Sequence, residues 1–385
     1  MDHTDIGKAS RAADRALIVQ LDTEIHELRE RIHLLQKARE LQQKRLDTYT
    51  YPVLTLPHEI VSKIFVYTLP PYPDCPPLTS SLSPTSLTHI CRHWREMTLA
   101  MPYLWRAIPL GYFGDASHER QTRVLESWMD RAGGCPLSIE IKPSVVSTWL
   151  FGFNSEPILL RRERLEYLKL ALANSHVSFL KGSMPLLRSL SLHLEYKNLP
   201  LPTGIVCEYP RLEAVSLTSF PGTVDWLPWP QLTSLTLRDM TADNSIPILQ
   251  QTTNLVHLTL ILTGGDAAEQ DTETALDITL PSLEALAIGS EHSRGEVLTR
   301  LFSAFFVPGL DSLQVPERFF SAADLQRLPT ELLRSFLRKS GCQPRKILLT
   351  GRMGQAEHWY REAFPEIEFS FHPSWKMDDE DVEIS

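Results

Sequence analysis

Cys91 and His93 are the nearest approach in this chain of 385 residues to a thiol nucleophile beside a general base. Two residues apart on a helix, they cannot face the same way, so Cys91 reads as a core residue and His93 as a surface one. His26-Glu27 and His118-Glu119 could each open a zinc-hydrolase signature, but both lack the second histidine one turn on. The sequence has no phosphate-cradling loop, dinucleotide fingerprint or nucleophile elbow. The chain therefore reads as non-catalytic, with no cofactor and no metal site. Its five cysteines are odd in number, scattered and without a C-x-x-C pair, which favours free thiols in a reducing compartment, cytoplasmic or nuclear. A formal net charge of −9, with one dense basic cluster at Arg161, Arg162 and Arg164, argues against nucleic acid as a partner. The start Met1-Asp2-His3-Thr4-Asp5 is acidic and polar, unlike a secretory signal, and no apolar run approaches the roughly 18 residues of a membrane span.

What is left is binding, and the residues suited to it need elements to hold them. Leu56-Pro57-His58-Glu59-Ile60 predicts a helix start, with proline in the first turn and Glu59 at the positive end of the dipole. Ile60, Val61, Ile64, Phe65, Val66 and Leu69 make that helix apolar on more than one stripe, so it calls for burial on two sides. A second helix is predicted from Ser83-Pro84, carrying Leu87, Ile90, Cys91, Trp94 and Met97 on one face. After Pro102, the segment 101–108 with Leu104, Trp105 and Ile108 offers a third short apolar piece, closing a three-helix unit over 51–110. Trp94 and Trp105 are either core alone or core with an edge shared with a partner.

These residues resemble the F-box, and specifically the F-box-like domain that fungi often carry ahead of leucine-rich repeats. The resemblance lies in Leu56-Pro57-x-Glu59-Ile60 with Ile64-Phe65, in Cys91-Arg92-His93-Trp94-Arg95, and in Pro102-x-Leu104-Trp105-x-x-Ile108. The proline-rich segment between the first two helices, 70–83, is longer than in the compact form of that domain. The resemblance implies docking onto a Skp-family adaptor and, through it, a cullin complex. Leu56, Pro57, Ile60, Ile64, Phe65, Leu87, Cys91, Trp94, Leu104 and Trp105 would be the adaptor-binding residues.

On the N-terminal side, residues 1–50 predict a helix. Ile18, Ile25 and Ile32 lie seven apart and interleave with Leu21, Leu28 and Leu35, a heptad whose isoleucine a and leucine d positions favour a parallel two-stranded coiled coil. Arg39 and Gln42 then weaken the seam before Leu46. Two outcomes stay open: a homodimer through this helix, or a lone helix folded back on the body.

On the C-terminal side, 111–372, an apolar-x-x-apolar-x-apolar pattern recurs seven times, beginning at Leu165, Leu187, Leu212, Leu232, Leu255, Leu283 and Leu310. The starts are 20 to 28 residues apart, within the period of leucine-rich repeats. Five copies have a proline two residues ahead, which fits a strand beginning where no ladder donor is needed. The Asn or Cys expected three residues after the last apolar position is absent; Ala173, Glu195, Phe220, Met240, Thr263, Glu291 and Arg318 stand there, so the solenoid should be irregular. A helix–Gly–Cys–Pro–strand phrase at 128–141 returns at 322–349, and the two phrases would bracket the repeats. Side chains between the strand core positions would meet a target protein, among them Lys169, Arg188, Glu213, Thr236 and Thr259. Residues 373–385 form an acidic tail.

The expected fold is α+β and multidomain: an N-terminal coiled-coil helix, a small three-helix F-box-like bundle and an irregular α/β leucine-rich-repeat solenoid. The expected function is substrate recognition for a cullin-type (SCF) ubiquitin ligase in ubiquitin-dependent protein degradation. The alternative is a leucine-rich-repeat scaffold acting outside any ligase.

Overall fold

The computed structural model describes residues 3–48, 52–110, 118–141, 156–172, 174–194, 201, 204–263, 277–290, 301–317, 329–351 and 356–372. The protein is mixed α/β, with a long N-terminal helix and a large parallel sheet. It divides into two compact units, Met1–Ile64 and Phe65–Ser385.

The first unit contains α1 (His3–Asp47), 45 residues long and starting earlier than the heptad pattern. All of its side chains described from Arg11 onward are exposed, the isoleucines and leucines of the heptad included. The unit ends inside α2 (His58–Tyr67), where the Pro57 carbonyl accepts from the Ile60 and Val61 amides at 3.0 and 3.1 Å. Proline thus stands immediately before the first turn, where its missing N–H leaves no gap.

In the second unit, the single helix expected from Ser83 is broken into α3 (Pro84–Leu87) and α4 (Arg92–Leu99). Cys91 causes the break: it is extended, and its Sγ accepts from the Trp94 amide at 3.4 Å, capping α4. Arg95 Nε donates to the Thr88 carbonyl at 2.8 Å and holds the turn between the two helices. Cys91 is therefore a cap rather than a core residue, and Leu87 and Ile90 leave the helix that carries Trp94. The third apolar segment also differs from expectation. After a short 3-10 turn at Pro102–Leu104, it runs into a strand, β1 (Ala107–Leu110), all four of whose residues are buried.

β1 opens an eleven-stranded sheet, continued by β2 (Leu137–Ile141), β3 (Leu165–Leu172), β4 (Ser189–Leu194), β5 (Ala214–Thr218), β6 (Ser234–Met240), β7 (His257–Leu262), β8 (Ala285–Ser290), β9 (Ser312–Pro316), β10 (Lys346–Thr350) and β11 (Glu368–His372). Every strand pairs in parallel with its neighbours in chain order. All seven repeat copies lie in β3 to β9 or at the turns that lead into them. One row of apolar Cα partners crosses the whole sheet: Ile108, Ile139, Leu168, Leu190, Val215, Leu235, Leu258, Leu286, Leu313, Ile347 and Phe369. Each is nearly inaccessible to solvent, and burial of such a side chain stabilises by about 1.5–3 kcal/mol.

The five prolines sit inside a turn, not at a strand's first residue. The amides of Leu187, Leu212, Leu232, Leu283 and Leu310 donate to Met184, Tyr209, Trp229, Leu280 and Val307 carbonyls at 3.2–3.3 Å. Each proline follows the accepting residue, the place in a β-turn where its fixed φ is most favourable. Gly309 lies against the previous turn: a Cβ there would be 3.0 Å from the Pro281 carbonyl oxygen.

Helices fill some of the returns: α5 (His118–Arg131), α6 (Glu156–Leu160), α7 (Ala242–Leu249), α8 (Pro329–Ser340) and α9 (Ala356–Ala363). The proline-rich return 220–230 has no α-helix, only a 3-10 turn at Trp229–Gln231. Residues 291–300 and 318–328 and the tail 373–385 lie outside the described residues. The two helix–Gly–Cys–Pro–strand phrases lead into β2 and β10, so one further strand, β1 or β11, stands outside each. Of the positions where a side-chain ladder was sought, Phe220 and Met240 are buried and apolar; Ala173, Glu195, Glu291 and Arg318 lie outside the described residues.

Candidate interaction surfaces

Alternation along the strands turns the residues between core positions to the other face. Lys169, Ser191, Ser216, Thr236, Thr259, Ala287 and Gln314 are successive Cα partners in one row of that face. Beside it, where the strands begin, a second line runs through Glu166, Arg188, Glu213, Thr233, Val256 and Glu284. Each amide there, from Arg188 onward, donates to the preceding member's carbonyl at 2.8–2.9 Å. The sequence-predicted ligand residues therefore fall on two lines: Lys169, Thr236 and Thr259 on the first, Arg188 and Glu213 on the second. The charges at the β3 end are already engaged within the chain, Lys169 with Glu140 at 3.2 Å and Arg188 with Glu166 at 3.3 Å. From β4 to β8 the middle row carries only small or hydroxyl side chains.

Sequence reasoning missed what lies at the start of this face. The proline-rich stretch 70–78 runs beside β2 and β3. Tyr72 donates to Glu166 Oε2 at 2.8 Å, meets Tyr167 edge-on at 5.4 Å and lies under the Arg106 guanidinium, 3.6 Å from the ring centroid. Burial and the Glu166 carboxylate push the Tyr72 phenol far above its ordinary range. Ser138 Oγ donates to the Pro73 carbonyl at 2.7 Å, and the Cys75 thiol lies 3.8 Å from both Ser138 oxygens. The sequence marks this stretch only by its prolines; the signal available was its aromatic and sulfur residues, Tyr72 and Cys75.

Burial pushes the Cys75 thiol up to about 12. Its ordinary value is near 8.5, so the folded state binds a proton that the unfolded chain loses in that window. Stability from Cys75 is therefore complete below about pH 8.5 and falls as pH rises toward 12. At pH 8, iodoacetamide should leave Cys75 unmodified in the folded protein and alkylate it after denaturation, as read by peptide mass spectrometry. Rapid native alkylation at Cys75 would contradict its placement over Ser138.

The basic cluster is also spent on structure. Arg161 pairs with Asp130 at 2.7 Å, Arg162 donates to the Leu159 and Lys181 carbonyls, and Arg164 donates twice to the Cys135 carbonyl at 2.9 and 3.1 Å. Among the described residues, no group of three or more His, Cys, Asp or Glu is placed to hold a metal ion. No helix among them is long and apolar enough to cross a membrane.

The residues assigned to an adaptor separate by burial. In the first unit Leu56 is 36% and Ile60 44% exposed, Pro57 is exposed, and Ile64 is half-buried. In the second unit Phe65, Leu87, Leu104 and Trp105 are buried, while Cys91 and Trp94 are half-buried. Phe65 meets Trp94 edge-on at 4.8 Å. Trp105 donates to the Thr98 carbonyl at 2.9 Å and abuts Trp128 at 5.2 Å, which makes it a core residue with no edge to offer. Val66, Tyr67, Ile90, Leu99 and Tyr103, not among the predicted contacts, are apolar and exposed, Tyr67 at 86%.

Comparison of the chain with known protein families, with curated proteins and with solved structures returns no match.

Proposed function

We propose that the protein is a non-catalytic substrate-recognition subunit of a cullin-type ubiquitin ligase. In this reading residues 51–110 form the F-box-like domain and hold a Skp-family adaptor. The parallel sheet is a leucine-rich-repeat solenoid and holds a target protein by its hydroxyl-lined face. One observation carries the reading. Leu56, just ahead of α2, and Ile60, in its first turn, lie at the motif positions of the resemblance and stay open to solvent, while Val61 and Phe65 of the same helix are buried. Apolar side chains grouped at a solvent-facing helix start suit a partner polypeptide. Catalysis would come from the ubiquitin-charged enzyme, and this chain's contribution would be effective concentration, binding target and adaptor at once.

Adaptor capture tests the proposal. Immobilised Skp-family adaptor should retain the full chain, and Leu56→Asp with Ile60→Asp should abolish retention. Because both residues are exposed, that variant should keep the wild-type unfolding midpoint. Wild-type protein that passes through unretained would overturn the ligase assignment and favour the scaffold alternative.

A further inference from the structure

We infer that α1 pairs with α1 of a second copy of this chain, and that the two helices run antiparallel with Ile25 facing Leu28 at the centre.

The hydrophobic seam alone does not choose the direction. Ile18, Leu21, Ile25, Leu28, Ile32 and Leu35 give six apolar layers whether the copies run parallel or antiparallel. Isoleucine at a and leucine at d lean toward parallel, but the polar members of the same seam reverse that preference. In a parallel pair Arg11, Asp14 and Arg39 would each face their own copy in the seam, three like-charge layers. Antiparallel pairing about the Ile25–Leu28 centre places Asp14 opposite Arg39 and Arg11 opposite Gln42 instead.

The flanking positions agree. With Ile18 at a, Glu24 and Arg31 occupy g while Asp22 and Arg29 occupy e. Antiparallel helices oppose g to g and e to e, so Glu24 meets Arg31 and Asp22 meets Arg29, each twice by symmetry. A parallel pair matches only Glu24 with Arg29. Leu17 and Ala38, also at g, would face each other and widen the apolar strip. All these side chains are exposed in the single chain, and α1 is uninterrupted through them. Residue 46 of one copy then lies across from residue 7 of the other, so the C-terminal ends of the two α1 helices would be separated by about 60 Å along the rod.

Light scattering on the full chain tests both parts. Wild type should show twice the 43.8 kDa of one chain at micromolar concentration, and Leu28→Asp should show a single mass. No tryptophan precedes Trp94, so unchanged tryptophan emission in Leu28→Asp would confirm that the second unit is intact. Glu24→Arg should weaken association about tenfold or more, and adding Arg31→Glu should restore it. A monomeric wild type, or Leu28→Asp at dimer mass, overturns the pairing. Rescue by Arg29→Glu in place of Arg31→Glu overturns the direction.

Discussion

Trp105→Ala should destabilise the second unit by about 3–5 kcal/mol, the range for deleting a large aromatic from a packed core. Three contacts go together: the edge-on ring of Trp128 at 5.2 Å, the Arg131 guanidinium 4.4 Å from the ring centroid, and the hydrogen bond to the Thr98 carbonyl. Trp105 is 0% exposed, so solvent cannot replace that bond without rearrangement. Trp105→Phe keeps a ring against Trp128 and should lose less. Urea unfolding followed by far-ultraviolet circular dichroism measures both. A Trp105→Ala protein with the wild-type midpoint would mean that the residue is not the core of this region. The indole would then have an edge free to meet a partner after all.

The second large effect belongs to the sheet. Leu235→Ala, in the middle of the apolar row, should cost about 2–5 kcal/mol, whereas Thr236→Ala on the same strand should stay within about 0.5 kcal/mol. The two positions are adjacent in sequence and differ in face. Leu235 lies between Val215 and Leu258 in the core, and Thr236 lies between Ser216 and Thr259 on the opposite side. Equal losses at the two sites would contradict the assignment of faces, and with it the proposed target-binding surface.

The strands β3 to β9 were legible because their leucines repeat at intervals no other element shares, and each copy ends a turn marked by its own residue types. β1 was not. Ala107, Ile108, Pro109 and Leu110 are buried on both faces, so the alternation that betrays a half-buried strand is missing, and only the neighbouring β2 defines it. The break at Thr88–Cys91 was hidden for a different reason. Apolar spacing continues across it, but a cysteine sulfur in the capping role ends the run, and cysteine is a weak signal for a cap. Of the residues that the motif assigns to an adaptor, Leu56, Pro57 and Ile60 are exposed. Leu104 and Trp105 were read as contacts because a motif reports residue type and spacing, whereas the burial of Trp105 depends on Trp128 and Arg131 of α5, further along the chain. The engagement of Glu166 by Tyr72, 94 positions earlier, had no local signature at all.

The chain-order sheet carries a consequence for how such a protein changes over generations. A barrel must close, and its strand number is locked by that closure; here the first and eleventh strands never meet, so no geometric condition fixes the count. Duplicating one turn, strand and return would add a single residue to the row of Lys169, Thr236 and Thr259 and leave every other pairing as it was. Surface on that face could then be enlarged by copying rather than by redesign.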